Sequence, residues 1–472
     1  MSSSKPENPV GLTGQDAASE LARGLSLRHI LFIALGSAIG TGLFLGSASA
    51  IRFAGPSVLL AYVIGGAAVF MVMRAMGEMA LAHPVAGAFS DYATRYLGPW
   101  AGFVTGWSYA FEMALVAVAD VTAVALYMRF WFPQSPSWVW ILSVILVILA
   151  INLTTVKVFG EAEFWFTVVK VGAVLAMIIG GILLLILGVQ MNASAEPSVT
   201  HLWDQGGFFP QGLTGFLACF TVVMFAFGGI ETIGVTAGEA ADPKSSIPKA
   251  VNTVPVRILV FYVLTMGVIM SLSSWQQITT EQSPFVQIFS ALGIPAAAHL
   301  LNLVILTAAV SAINADMYGA GRMLYGLAQQ GLAPASFAAV SRAGIPWLTV
   351  MCMGVVLACG VLLNWLFEEA FLIIASLATF ATVLVWIMIL VTHLGFKRHL
   401  IRAQGTSEFP TPLWPVASWA ALAFMLGVMA LLGFFPETRT ALWVGAGWCL
   451  LLGLLWPVVR RRGSATAAPA QR

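Results

Sequence analysis

Apolar stretches long enough to cross a bilayer recur along the whole chain, and no other feature limits the fold as strongly. A spanning helix needs about 20 apolar residues. Such stretches fall near 28–51, 57–79, 100–130, 137–155, 162–188 and 213–238, then near 254–274, 297–327, 347–366, 369–393, 415–434 and 441–460. The ninth and tenth are separated by only a few residues around Glu368 and Glu369. Of 472 residues, 59% are hydrophobic and 9% charged. Soluble globular proteins carry roughly 25% charged residues, so these charges are too few to cover a water-soluble fold of this size. The reading is an all-α polytopic membrane protein with about twelve spanning helices.

Composition excludes several alternatives. A net charge of +2 is too small to attract nucleic acid. Cys219, Cys352, Cys359 and Cys449 all sit in apolar stretches, where buried structural thiols are expected rather than a disulfide framework. Six scattered histidines show no metal-ligand spacing. No cofactor is implied. The first 27 residues are polar and rich in Ser and Gly, with no cleavable signal pattern, and the tail after Arg462 is small and polar.

Lys and Arg collect in cytoplasmic loops. With the N-terminus inside, cytoplasmic segments hold Lys5, Arg23, Arg28, Arg74, Arg95, Lys157, Lys244, Lys249, Arg257, Arg322, Arg342, Lys397, Arg398, Arg402 and the Arg460–Arg462 run. The other side holds Arg52, Arg129 and Arg439. Both termini are therefore expected in the cytoplasm. Trp131, Trp203, Trp275 and Trp347 lie near expected helix ends, as interfacial anchors do.

Two spans carry glycine clusters at their middles. The first reads Gly36-Ser37-Ala38-Ile39-Gly40-Thr41-Gly42, and the sixth reads Phe225-Ala226-Phe227-Gly228-Gly229-Ile230-Glu231. Glycine weakens a helix by about 1 kcal/mol against alanine. Freed backbone groups in lipid are tolerated only where they line protein or a water-filled cavity. One glycine cluster alone is equally served by close helix packing. Two clusters, at equivalent positions of two five-helix halves, point to an inverted-repeat transporter with its ligand at the breaks. Amides at a half-helix N-terminus suit a carboxylate, and carbonyls at a half-helix C-terminus suit an ammonium.

Ionisable residues inside spans are costly and usually functional. Glu112 and Asp120, eight residues apart on the third span, share one face. Lys170 is on the fifth, Glu231 on the sixth and Asp316 on the eighth. Such groups can take up and release a proton during a cycle. The alternatives are a static ion pair for Lys170 or Glu231, and water-filled vestibules for Glu112 and Asp316. Phe225, Phe227, Trp107 and Tyr109 either line a cavity or pack.

Four motifs carry a family resemblance over about residues 22–460: GLSLRHILFIALGSAIGTGLFLGS, GEAEFWFTVVKV, FAFGGIETIGVTAGEAADPKSSIPKA and SAINADMYGAGRMLYGLA. With them the chain resembles amino acid permeases of the amino acid–polyamine–organocation superfamily, in its bacterial amino acid transporter branch. The resemblance implies a five-plus-five inverted repeat with two further helices, the first and sixth helices being discontinuous. It implies that the backbone from Ser37 through Thr41 to Gly42 holds the substrate α-carboxylate. Carbonyls near Ile39 and over Phe225, Ala226, Phe227 and Gly228 would hold the α-ammonium. Phe225 matches an aromatic gate, Lys170 a lysine that stands where sodium-driven relatives bind an ion, and Glu231 an acid linked to protonation. Asp120 stands where this branch commonly has Glu. The run GWSYAFEMALVAVADVTAVALYMRFWFP, with SLATFATVLVWIMIL, is most similar to proline-specific and histidine-uptake permeases, and Glu112 belongs to that pattern.

The expectation is thus a transporter, not an enzyme, importing proline or histidine by proton symport across a bacterial inner membrane, as monomer or homodimer. The expected division is a cytoplasmic tail over 1–27, a transport core over 28–393, two further helices over 394–460 and a tail over 461–472. An amino acid exchanger of the same fold is the alternative. A receptor would need an output domain, and a channel a filter or charged ring.

Overall fold

The computed structural model describes residues 26–37, 39–85, 87–188, 197–280, 282–291, 295–366 and 370–466. Most of both tails, most of the loop after 188, Ala38 and the turn with Glu368 and Glu369 lie outside the described residues. The described residues are helices, turns and loops, without strands.

In chain order the helices are α1 (Leu27–Ser37), α2 (Ser47–Ala54), α3 (Val58–Ala82), α4 (Ala88–Leu97), α5 (Pro99–Arg129), α6 (Ser137–Asn152), α7 (Val156–Leu187), α8 (Gly212–Ala226) and α9 (Thr232–Thr236). They continue with α10 (Pro243–Asn252), α11 (Val254–Arg257), α12 (Thr265–Leu272), α13 (Pro284–Ala291), α14 (Pro295–Gln329), α15 (Trp347–Leu366), α16 (Ala370–Arg402), α17 (Val416–Phe434) and α18 (Arg439–Thr466). π-helical turns at Gly42–Gly46 and Ile258–Leu264 join α2 and α12 to what precedes them. Among the described residues, eight helical segments are long and apolar enough to cross a membrane.

Local chemistry sets the ends of the long helices. Pro99 opens α5, where its missing N–H costs nothing. Thr155 caps α7 by accepting from Val158 N at 3.3 Å, and Gly188 ends that helix in the left-handed region. Asp242 accepts from Ser245 N at 3.3 Å at the start of α10.

α5 runs through the middle of the bundle against α14, α16 and α4, and 78% of its most apolar stretch is buried. α18 is peripheral, with 11% buried. Its outward Leu450, Leu454 and Trp443 suit a lipid face. α1 packs on α7, and α2 on α8.

Three basic residues assigned to cytoplasmic segments, Arg257 and Arg322 within the expected spans and Lys397 just beyond one, are buried. Arg257 lies in α11, Arg322 pairs with Glu239 at 3.0 Å, and Lys397 bonds Glu78. Long helices carry Lys397 and Arg322 inward: α16 runs on from 393 to Arg402, and α14 to Gln329. Of the cysteines, Cys219 is buried, whereas Cys359 and Cys449 lie on outer helix faces. Trp203 and Trp347 are exposed, but Trp275 is buried and Trp131 donates to His299 Nδ1 at 2.8 Å.

Candidate functional site

α1 stops at Ser37, and Ile39 N donates to Gly36 O at 3.0 Å in a tighter turn. Helical order resumes with the π turn at Gly42. α8 stops at Ala226; Phe227 N and Gly228 N donate three residues back, to Met224 O and Phe225 O at 3.2 and 3.0 Å. Gly229 then takes a φ of +88°, a conformation that favours glycine, before α9 begins. The end of α8 leaves the Ala226 carbonyl without a helical partner, and Tyr262 Oη donates to it at 2.6 Å.

The two interruptions touch. A Cβ on Gly42 would lie 2.5 Å from Ala226 Cα, so the backbones approach as closely as they do only because residue 42 is glycine. Gly40 differs: the nearest atom to a Cβ there would be Ala312 Cβ at 3.4 Å. Between the interruptions lies a cavity of about 20 Å³, lined by Gly40, Thr41, Gly42, Val116, Asp120, Phe225, Ala226, Gly228, Ala312 and Asp316. Seven of the ten were candidates from sequence (Gly40, Thr41, Gly42, Asp120, Phe225, Ala226 and Gly228).

Two acids face this space. Asp120, on α5, accepts from the Thr41 hydroxyl through Oδ1, while its buried Oδ2 meets no donor among the described residues. Asp316, on α14, likewise has a buried Oδ2 without a donor among the described residues. Phe225 and Val116 form one wall, Ala119, Ile374 and Ala378 pack with them in one buried cluster, and the Phe225 ring meets Phe371 edge-on at 6.1 Å.

Other candidates lie beside the cavity. Ile39 is buried in the main core. Ser37 ends α1, at the edge of the first interruption. Phe227 turns away and packs against Tyr62 and Tyr262, at 5.9 and 4.9 Å between ring centroids. Tyr109 stacks edge-on against Phe89 and reaches Thr232 Oγ1 at 3.3 Å. Trp107 donates to Leu332 O at 3.1 Å and lines a separate apolar groove of about 1010 Å³, formed with α18.

Glu231 folds over the second interruption. Its Oε1 accepts from Gly229 N and its Oε2 from Trp386 Nε1, both at 3.1 Å. Glu112 lies one turn after Tyr109 on α5, beside Glu231. It is fully buried, and neither carboxylate oxygen meets a donor among the described residues.

Lys170 has the opposite surroundings. Its ammonium donates to Gly36 O at 2.5 Å and to Ser311 Oγ at 2.8 Å, and lies 3.7 Å from Glu163 Oε1. Ser311 Oγ donates to Glu163 Oε1 at 2.6 Å, and Asn314 Nδ2 to Glu163 Oε2 at 3.3 Å. Asn152 Nδ2 extends the network to Asn314 Oδ1 at 2.8 Å. Lys170 is therefore tied to the first interruption through the last turn of α1.

The sequence reading missed Glu163. The expected fifth span began at 162, so Glu163 looked terminal; α7 starts at Val156, which places Glu163 about two turns inside. The signal was present, since Glu163 and Lys170 are seven residues apart and share a helix face. Glu78 was missed in the same way. It gathers His393 at 2.9 Å, Lys397 and Thr411 in one buried cluster.

Residues 29–465 match the amino acid permease family. Among curated proteins, the chain is 46% identical over 440 residues to an uncharacterized amino acid permease, YtnA, of Bacillus subtilis, covering 93% of this chain and 95% of that one. It is 46% identical over 444 residues to the aromatic amino acid transport protein AroP of Escherichia coli K12, covering 94% and 96%. A D-serine/D-alanine/glycine transporter of the same strain is 42% identical over 454 residues, covering 95% and 96%. The names of these relatives point to aromatic and small amino acids rather than to proline or histidine.

Proposed function

The chain belongs to the amino acid permease family, and from that premise we propose that it imports a neutral amino acid by alternating access, coupled to protons. The observation that carries this reading is the cavity between the two helix interruptions, where backbone and acid groups converge at the middle of the bundle. The frame we infer has twelve spans, with residues 28–393 as an inverted-repeat core, 394–460 as two further helices, and both ends in the cytoplasm of a bacterial inner-membrane protein.

In this reading the backbone from Ser37 to Gly42 receives the substrate carboxylate, and groups around Phe225–Gly228 face the ammonium. The side chain lies against Phe225 and Val116, an apolar wall backed by Ile374. That wall favours an aromatic or small side chain, the classes that the names of the relatives include. A histidine side chain would need Glu112, which lies off the cavity lining.

Lys170 supports protons over sodium. A fixed ammonium repels a second cation in a low-dielectric interior, and this one is held beside the first interruption. Glu231, bonded across the second interruption, is the other coupling candidate.

The test is uptake into proteoliposomes, competed by proline, histidine, phenylalanine, glycine and γ-aminobutyrate. Competition by phenylalanine or glycine well above proline and histidine supports the apolar subsite; the reverse order overturns it. Uptake that requires amino acid inside the vesicle identifies an exchanger instead. Gly40→Val projects a side chain into the cavity and is expected to weaken substrate binding at least about 10-fold. Wild-type affinity in that variant contradicts the site.

A further inference from the structure

At the end of the bundle that the proposed orientation puts in the cytoplasm, a cavity of about 800 Å³ opens between the end of α3, α4, the start of α10 and the last turns of α16. It shares no lining residue with the cavity between the interruptions. Its size is that of a ligand pocket, about 300–1,000 Å³.

Basic groups enter it from four sides. Arg95 is on α4, Lys244 opens α10, His399 is on α16, and His83 directly follows α3. The acids on its wall do not answer them. Glu78 is bonded to His393, Lys397 and Thr411. Glu408 meets Lys244 at 3.0 Å, but both side chains are about 70% exposed, and such a pair is weak and readily exchanged. Arg95 has Asp91 at 3.9 Å, beyond hydrogen-bond reach, and its Nη1 lies 3.4 Å from His83 Nε2. Burial, then the Arg95 charge, holds the His83 imidazole below its usual range; Asp91 opposes this and His399 adds to it. An anion set among these groups would relieve the crowding.

Basic residues collect at cytoplasmic ends for topology alone. Two features go beyond that. The cavity has an aromatic back wall, where the Tyr96 ring meets Phe396 at 5.3 Å and His399 at 5.8 Å. Beside it the surface turns apolar: Leu97, which packs at Gly395 across the seam between α4 and α16, and Ile401 are both exposed. Charge at one edge and apolar surface at the other match the two ends of a lipid.

Resting on the proposed orientation, we propose that this cavity holds the phosphate headgroup of an anionic phospholipid of the cytoplasmic leaflet. Arg95 and Lys244 donate to the phosphate oxygens, the Arg fork taking two of them. His83 and His399 lie beside the phosphate, and the acyl chains run over Leu97 and Ile401. Basic pockets between membrane helices suit such headgroups. The lipid then ties α4 to α16 at the edge of the bundle. A free phosphate would meet the same charges but would leave the apolar edge without a partner.

The experiment uses full-length protein in detergent and measures binding of dioctanoyl phosphatidylglycerol, dioctanoyl phosphatidylcholine and inorganic phosphate. Wild type is expected to bind the phosphatidylglycerol at least about 10-fold more tightly than the phosphatidylcholine. Arg95→Gln is expected to weaken phosphatidylglycerol binding about 10-fold, and Arg95→Lys by less. Lys157→Gln, an exposed basic residue away from the cavity, is expected to change nothing. Glu408→Gln frees Lys244 and is expected to tighten binding about 2- to 5-fold, a gain that a folding defect does not produce.

Equal binding of the two lipids by wild type overturns the proposal, as does unchanged affinity in either Arg95→Gln or Glu408→Gln. A loss in Lys157→Gln equal to that in Arg95→Gln assigns the effect to general surface charge and also overturns it. Displacement of the lipid by inorganic phosphate at a similar concentration assigns the cavity to a free anion instead. Binding in detergent does not depend on which way the chain crosses the membrane, so these failures leave the orientation standing. The orientation itself fails if Arg95→Cys, compared with wild type, is labelled by an impermeant thiol reagent from outside right-side-out vesicles, and the cytoplasmic leaflet fails with it as the source of the lipid.

Discussion

Two polar clusters lie side by side at the centre of the bundle and are built on opposite rules. Around Lys170, an ammonium, a carboxylate, a hydroxyl, two amides and a backbone carbonyl bond one another across α1, α6, α7 and α14. Around the cavity, Asp120, Asp316 and the neighbouring Glu112 keep carboxylate oxygens without donors among the described residues. A satisfied buried network holds one arrangement and resists the loss of any member. An unsatisfied one costs stability until something arrives to bond it. On the proposed reading, the difference separates framework from function: the first cluster fixes the helices that bracket the interruption, and the second is the one that takes up a ligand and a proton.

The comparison is most exposed at Glu163. Glu163→Ala leaves Lys170 without its acid and Ser311 and Asn314 without their acceptor. Loss of one member of a buried pair costs about 3–5 kcal/mol, so thermal unfolding in detergent is expected to show a large drop in melting temperature. An unchanged melting temperature would mean that the network contributes no framework.

Lys170→Ala disturbs the same network but reads out coupling as well. Concentrative uptake is expected to fall to equilibration, while substrate binding falls far less. Normal accumulation by this variant removes Lys170 from coupling and leaves it a structural residue.

The two glycines of the first interruption sharpen the contrast at a smaller scale. Gly42→Ala drives a methyl into Ala226 Cα at 2.5 Å, an overpacking worth about 1–3 kcal/mol. Gly40→Ala meets only ordinary contact at 3.4 Å and is expected to fold like wild type with weakened binding. Equal stability losses in the two variants would erase the distinction between packing glycine and cavity glycine.

The smallest expected effect is at Glu112. Glu112→Gln breaks no hydrogen bond from a donor, so its stability is expected within about 0.5 kcal/mol of wild type or above it. A loss comparable to that of Glu163→Ala would show that Glu112 belongs to the framework.

Much of this was legible in the sequence, because bilayer physics writes strong signals. Apolar runs marked the long helices, and the two glycine clusters lie at or next to the ends of α1 and α8. Less legible was what lies at helix ends and across helices. Glu163, Glu78 and Lys397 looked terminal because apolarity falls off before the helix does. Phe227 could not be told from Phe225, although two residues on a distorted turn face opposite ways: one to the cavity, one to Tyr62 and Tyr262. Which acids find donors depends on partners far along the chain, such as Trp386, 155 residues from Glu231, and no local pattern encodes that.

On the proposed function, the cavity between the interruptions carries an amino acid and a proton drives it. The direct measurement is uptake of radiolabelled phenylalanine and glycine into sodium-free proteoliposomes under an imposed pH gradient, acidic outside. Accumulation above equilibrium that collapses when a protonophore dissipates the gradient is expected. Accumulation indifferent to the gradient and dependent on sodium would contradict it.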